Sequence, residues 1–112
     1  MIVRTGNIGE CKRLGIPYLD ITIGTGERAF APTWDMVHDY KSSVLTESAY
    51  TAKYTSLMRQ SYVRDRRHWD LVLAMDEVVL ACYCKAGSFC HRYLLRDMLL
   101  KCGAVDGGEI GE

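Results

Sequence analysis

No apolar run in this 112-residue chain approaches the length needed to cross a bilayer. The longest, "LVLAM" and "VVLACYC", fall far short of the roughly 20 residues of a spanning helix. The opening "MIVRTGNIGECKRLGI" lacks the extended apolar stretch of a secretory leader. Net charge is missing too, since fourteen acidic side chains balance fourteen basic ones. A general nucleic-acid coat or a polybasic membrane anchor is therefore disfavoured, although a local basic pocket is permitted. Internal repeats, low-complexity tracts and a paired carboxylate dyad are likewise absent. The five cysteines are odd in number and three fall within nine residues, which argues against a disulfide framework. Reduced thiols in a cytoplasmic protein are the expectation.

What is present reads as a folded chain. Hydrophobic residues make up 48% and charged residues 25%, the balance of a globular protein rather than a disordered one. Such a length suits a single α/β domain over residues 1–112. "MIVRTG" reads as a first strand closed by Gly6 and Asn7, followed by a polar turn. "YLDITIG" alternates, with Leu19, Ile21 and Ile23 on one face and Asp20 and Thr22 on the other. "EVVLACYC" is almost wholly apolar, as a central strand covered on both faces would be. A last, weaker strand is expected near residues 104–110, among crowded glycines.

Helices fill the intervals. Thr33 is placed to cap "WDMVHDYKSS", and Thr46 to cap a longer helix whose Tyr50, Tyr54, Leu57, Met58 and Ser61 or Tyr62 share a face. "RDRRHWDLVLAM" holds a third, shorter helix or the tail of the second. The last helix carries the stripe Leu94, Leu95, Met98, Leu99 and Cys102, with Gly103 as its stop. Strands separated by helices predict a three-layer α/β domain with a small, mainly parallel, Rossmann-like sheet flanked by helices. Ligands in such folds gather at the carboxyl ends of the strands. The loops "RTGN", "GTGER" and "CKAGSFCHR" should meet there.

The third of these loops carries the most chemistry. Its entry into a helix offers free backbone N–H groups and a favourable dipole to an anion. Lys85 and Arg92 would add charge, Gly87 would let the backbone come close, and Ser88 would contribute a donor or simply cap the helix. Arg28, in the second loop, could assist, and Phe30 or Trp34 could line a base-sized slot. Cys90, at the helix start beside His91 and Arg92, stands where a thiol pKa falls, which makes it a candidate nucleophile with His91 as acid or base. The C-x5-R loop of cysteine phosphatases does not fit, because the sixth position after Cys84 is Cys90 and Arg92 comes two residues late.

Plainer readings compete with these. Cys82 and Cys90 could be small core residues, and His91 a buried hydrogen-bonding group that fixes the turn. The pattern C-x-C-x5-C-H offers Cys82, Cys84, Cys90 and His91 to a metal, but structural zinc sites favour wider pair spacing, so no metal site is assigned. The tyrosines read as helix packing and "RDRRH" as a solvated charge run.

The Cys-His-Arg triplet at 90–92, Cys82 upstream of it, and the blocks "LDITIGTGERAFAPTW" and "YKSSVLTESAYTAKYTSLMR" resemble the uncharacterised domain of unknown function family 488. That resemblance covers most of the chain. It implies a small α/β domain and brings no established reaction. Many relatives carry an acidic residue where Cys84 stands, which directs attention within this group to Cys90, His91 and Arg92.

The expectation is thus a small protein that binds a nucleotide or another phosphate-bearing molecule at the strand-to-helix loop 84–92. Cysteine-based catalysis through Cys90 and His91 is its reactive form, and no cofactor is inferred. The alternative is a non-catalytic module for a protein or nucleic-acid partner, in which the triplet is structural.

Overall fold

A computed structural model describes residues 1–111. The chain runs β1 (Ile2–Asn7), α1 (Ile8–Leu14), β2 (Leu19–Asp20), a 3-10 turn (Arg28–Phe30), α2 (Trp34–Lys41), α3 (Glu47–Arg64), α4 (Arg66–Leu73), β3 (Glu77–Cys82), α5 (His91–Lys101) and β4 (Val105–Glu109). The four strands pair in the order β2-β3-β1-β4, and every pairing is parallel. The expected α/β architecture with helices flanking a parallel sheet is what the chain forms.

Residue alternation along β3 sorts two cores onto the two faces of the sheet. Val78 and Leu80 join Val3 in a large cluster with α2 to α5, whereas Val79 and Ala81 pack with Ile8, Cys11 and Ile110 beneath α1. Being buried on both faces explains why β3 is nearly all apolar. On α3, Tyr50, Tyr54, Met58 and Ser61 recur at three or four residues and face the large core. On α5, Leu95 and Leu99 are fully buried, each worth about 2 kcal/mol of apolar transfer.

Both predicted threonine caps form. The Thr33 hydroxyl accepts from the Met36 N–H and the Thr46 hydroxyl from the Ala49 N–H. Gly103 takes φ of 101° and ends α5.

Three expectations change. The polar turn after β1 is instead the helix α1. The Asn7 side chain caps its start by accepting from the Glu10 N–H, and Gly15 ends it at φ of 68°. β3 stops at Cys82, so Tyr83 and Cys84 belong to the following loop. β2 shrinks to Leu19–Asp20, because the Asp20 carboxylate accepts from Thr22 N–H, Thr22 Oγ1 and Thr25 Oγ1 at 2.9, 2.7 and 2.6 Å. These bonds curl the chain into a turn that Gly26 must close. A Cβ at Gly26 would lie 2.5 Å from the backbone of Asp20 and Thr22.

Candidate functional site

Strand order brings the site together. β1 lies inside the sheet, with β3 on one side and β4 on the other. The chain leaving β1 enters α1, and the chain leaving β3 enters α5. The junction of β1 with α1 and the loops after β2 and β3 open at the same carboxyl edge, where such sheets hold ligands, so the expected loop "RTGN" is instead the end of β1 itself. Asn7 ties two of them. While its oxygen caps α1, its amide donates to the carbonyls of Tyr83 and Cys84, each at 3.1 Å.

Cys82 ends β3, and Cys90 occupies the N-cap position of α5 with extended backbone. Their sulfurs lie 2.7 Å apart, closer than two non-bonded sulfurs normally sit. His91 opens the helix with Nδ1 3.8 Å from the Cys90 sulfur. Its Nε2 lies 2.7 Å from the Ile21 carbonyl. A carbonyl only accepts, so Nε2 carries the proton and Nδ1 presents its lone pair to the thiols. The β2 turn thereby selects the tautomer of a residue on α5.

Arg92 lies beneath these groups, fully buried. One terminal nitrogen donates to Cys82 Sγ at 3.0 Å and to the Cys84 carbonyl at 2.9 Å, and reaches Cys90 Sγ at 3.9 Å. The other donates to Tyr93 Oη and Glu109 Oε2, both at 2.9 Å. The Tyr93 hydroxyl also donates to Glu109 and accepts from the Gly87 N–H.

This environment divides the thiols. Hydrogen bonds from Cys82 and Cys90, with the positive field of Arg92, pull the Cys84 thiol down to about 3 against a burial cost. Cys90, expected from its place at the helix start to have a lowered pKa, is instead raised, because it hydrogen-bonds to Cys82 and Cys84 and is buried. Burial also lowers His91, opposed by its bond to the Ile21 carbonyl, so the imidazole is neutral at neutral pH. The cluster therefore sets Cys84, its pKa lowered, beside Cys90, its pKa raised, and the His91 imidazole, its pKa lowered by burial.

Above this floor opens a cavity of about 390 Å³. Thr22 to Thr25 form one wall. Trp34, Tyr40, Tyr50 and Phe89 supply aromatic surface opposite, and Cys82, Cys84, Cys90 and His91 lie at the base. Tyr40, Tyr50 and Phe89 are mutually packed, with ring centroids 5.2 to 5.7 Å apart. The Trp34 ring is exposed at the mouth.

Of the residues picked from sequence, Cys90 and His91 line this cavity, while Lys85, Gly87, Ser88, Arg92 and Arg28 do not. Lys85 and Gly87 lie on the exposed loop, where the Ser88 hydroxyl bonds back to the Lys85 carbonyl and so closes the loop rather than capping α5. Arg28 is exposed on the 3-10 turn. Arg92 lies behind the thiols, spent on Glu109. Trp34 is in the cavity lining, whereas Phe30 is core. Lys41 is the cation of the lining, and sequence reading passed over it. Its place three and four residues after His38 and Val37, one turn on, was the available signal. Asn7 was also missed, although Glu10 three residues on makes it a cap-like pair.

The sequence model of DUF488-N3a, described as the active DUF488-N3 subclade, matches residues 24–103. The match includes the β2 turn from Gly24, α2 and all four groups of the cavity floor. No curated protein and no solved structure matches the chain.

Proposed function

The chain belongs to the DUF488 family, and from that membership and the site's geometry we propose that the cavity binds a nucleotide or a similar phosphate-bearing molecule with a flat ring. The observation that carries this is an aromatic wall facing a thiol–imidazole floor across an open cavity of about 390 Å³. A nucleobase would stack on Trp34 or the Tyr40–Phe89 surface, as bases do on aromatic side chains. The anionic part would lie toward the first turn of α5 and Lys41, which take the place given on sequence grounds to Lys85, Gly87, Ser88 and Arg28. Arg92 acts on the ligand through the thiols it holds and not by direct contact.

In the reactive form of this reading, Cys90 attacks an electrophilic atom of the ligand. Its proton passes to the Nδ1 lone pair of His91 and then to the leaving group. The description of the subclade as active supports a reactive site.

The test is a nucleotide and phosphate panel titrated into chelator-treated protein, followed by calorimetry and chemical shifts. The expected result is saturable binding with shifts at Thr22–Thr25, Trp34 and His91, weakened roughly tenfold by Trp34→Ala. Silence across the panel overturns the reading.

A second reading, the non-catalytic interaction module, is favoured by one observation. The His91 Nε2–H and both Arg92 termini are committed to partners inside the protein. The triplet would then lock three loops together. No ligand from the panel, together with a Cys90 that no electrophilic member of it modifies, would favour the module.

A further inference from the structure

We propose that Cys82, Cys90 and His91 form a three-ligand site for a zinc ion, with the fourth coordination position open to the cavity. Their donor atoms all lie within 4.8 Å of one another, and all three residues are buried. Two come from the ends of regular elements, Cys82 from β3 and His91 from α5, with Cys90 at the helix cap, so the set is held by rigid backbone.

The tautomer of His91 is the telling feature. A ligating imidazole usually donates its second N–H to a carbonyl or carboxylate, which fixes the ring and frees the other nitrogen for the metal. Here Nε2 is bound to the Ile21 carbonyl at 2.7 Å and Nδ1 lies 3.8 Å from the Cys90 sulfur. The Arg92 N–H at 3.0 Å from Cys82 Sγ adds an outer partner suited to a thiolate.

Charge balances as well. Two thiolates and Zn²⁺ sum to zero, and Arg92 with Glu109 forms its own neutral pair. Soft sulfur with imidazole selects zinc over magnesium or calcium, which prefer oxygen. Zinc–sulfur bonds of about 2.3 Å set the sulfurs of a tetrahedral site roughly 3.8 Å apart. The ion would therefore part the 2.7 Å sulfur pair by about 1 Å, while the Cys90–His91 separation of 3.8 Å is close to the roughly 3.6 Å between a sulfur and a nitrogen on one tetrahedral zinc.

All three ligands line the cavity, so the remaining position faces the space above them. Two cysteines and one histidine with an open position is the ligand set of a catalytic rather than a structural zinc. Cys84 lies on the exposed loop outside the three-donor group. Metal loading and thiol nucleophilicity are exclusive uses of Cys90: zinc binding deprotonates it and occupies its lone pair, releasing its proton to solvent.

Metal binding is measured on the intact chain without any nucleotide, which separates its outcome from that of the ligand panel. Protein stripped with chelator is titrated with zinc against a chromophoric chelator, and separately with cobalt(II), whose thiolate charge-transfer absorption reports sulfur ligation. The expected result is one ion per chain with thiolate absorption. Cys82→Ser and His91→Gln weaken binding by more than the ~100-fold cost of an outer-shell change, whereas Cys84→Ser and Cys102→Ser retain one ion. Should a variant fail to fold, zinc protection of Cys82 and Cys90 against alkylation in the wild-type chain gives the same reading. No stoichiometric zinc, undiminished binding in Cys82→Ser, loss of the ion in Cys84→Ser, or no protection of Cys82 and Cys90 overturns the proposal.

Discussion

Arg92 and Glu109 form an ion pair at 2.9 Å in which the guanidinium is fully buried and the carboxylate is 7% exposed. The pair joins the first turn of α5 to the end of the edge strand β4. Strand β4 otherwise contributes little to the core, since Val105 to Gly108 are exposed. A buried ion pair gains little over well-packed apolar residues, but leaving one of its charges alone is costly. Arg92→Met and Glu109→Leu should each destabilise the fold by about 3 kcal/mol or more. The double variant Arg92→Met/Glu109→Leu should recover much of that loss. Urea denaturation of the four proteins of this cycle checks the coupling, and additive losses would contradict it.

Ser61 is a small polar hinge in a large core. Its hydroxyl donates to the Ala29 carbonyl and accepts from Trp69 Nε1 at 3.0 Å, joining α3, the 3-10 turn and α4. Ser61→Ala leaves a buried acceptor and a buried donor without partners, at a cost of about 2 kcal/mol. The denaturation midpoint should fall, and the fluorescence of Trp69 should change in the folded state.

Asp20 shapes the cavity wall and makes its stability depend on acidity. Burial raises its pKa, but hydrogen bonds from Thr25 and Thr22 outweigh that and leave it lowered. A carboxyl lowered on folding contributes fully above its unfolded pKa, and the contribution is lost as pH falls through the folded value. Asp20→Asn should therefore cost about 1 kcal/mol at neutral pH and almost nothing once the wild-type carboxyl is protonated. Parallel thermal melts of both proteins from neutral to strongly acidic pH check this, and a difference that persists in acid would refute it.

The thiols should differ sharply in reactivity. Cys84 is exposed with its pKa pulled down to about 3, whereas Cys90 is buried with its thiol pushed up. In chelator-treated protein at neutral pH, iodoacetamide should label Cys84 first and Cys90 only slowly. Mass spectrometry of the peptides over time reads the order. A Cys84 that keeps pace with the exposed Cys102 would show that its neighbours do not ionise it.

Features written in neighbouring residues were legible beforehand. Thr33 and Thr46 as caps, the spacing of Tyr50, Tyr54 and Met58, the doubly buried β3 and the stop at Gly103 each depend on contacts within a turn or on burial shared along one element. Two local features escaped. The alternation of "YLDITIG" imitates a strand, yet the Asp20 carboxylate folds it into a turn. The helix α1 hid behind an asparagine read only as a turn residue. In both, a polar side chain bonded to nearby backbone overrode the apolar pattern.

The candidate site divides along the same line. Composition and order were enough to gather Cys82, Cys84, Cys90 and His91 at the exit of a hydrophobic strand, because a strand end and a helix start are local events. Which way each side chain serves depended on partners far along the chain. His91 received its tautomer from Ile21, 70 positions away, and Arg92 turned from the cavity toward Glu109, 17 positions on. Those meetings follow from β3 lying between β1 and β2 while β4 pairs with the far side of β1. Strand order is a free-energy minimum of the whole packed chain, so no short stretch of residues encodes it.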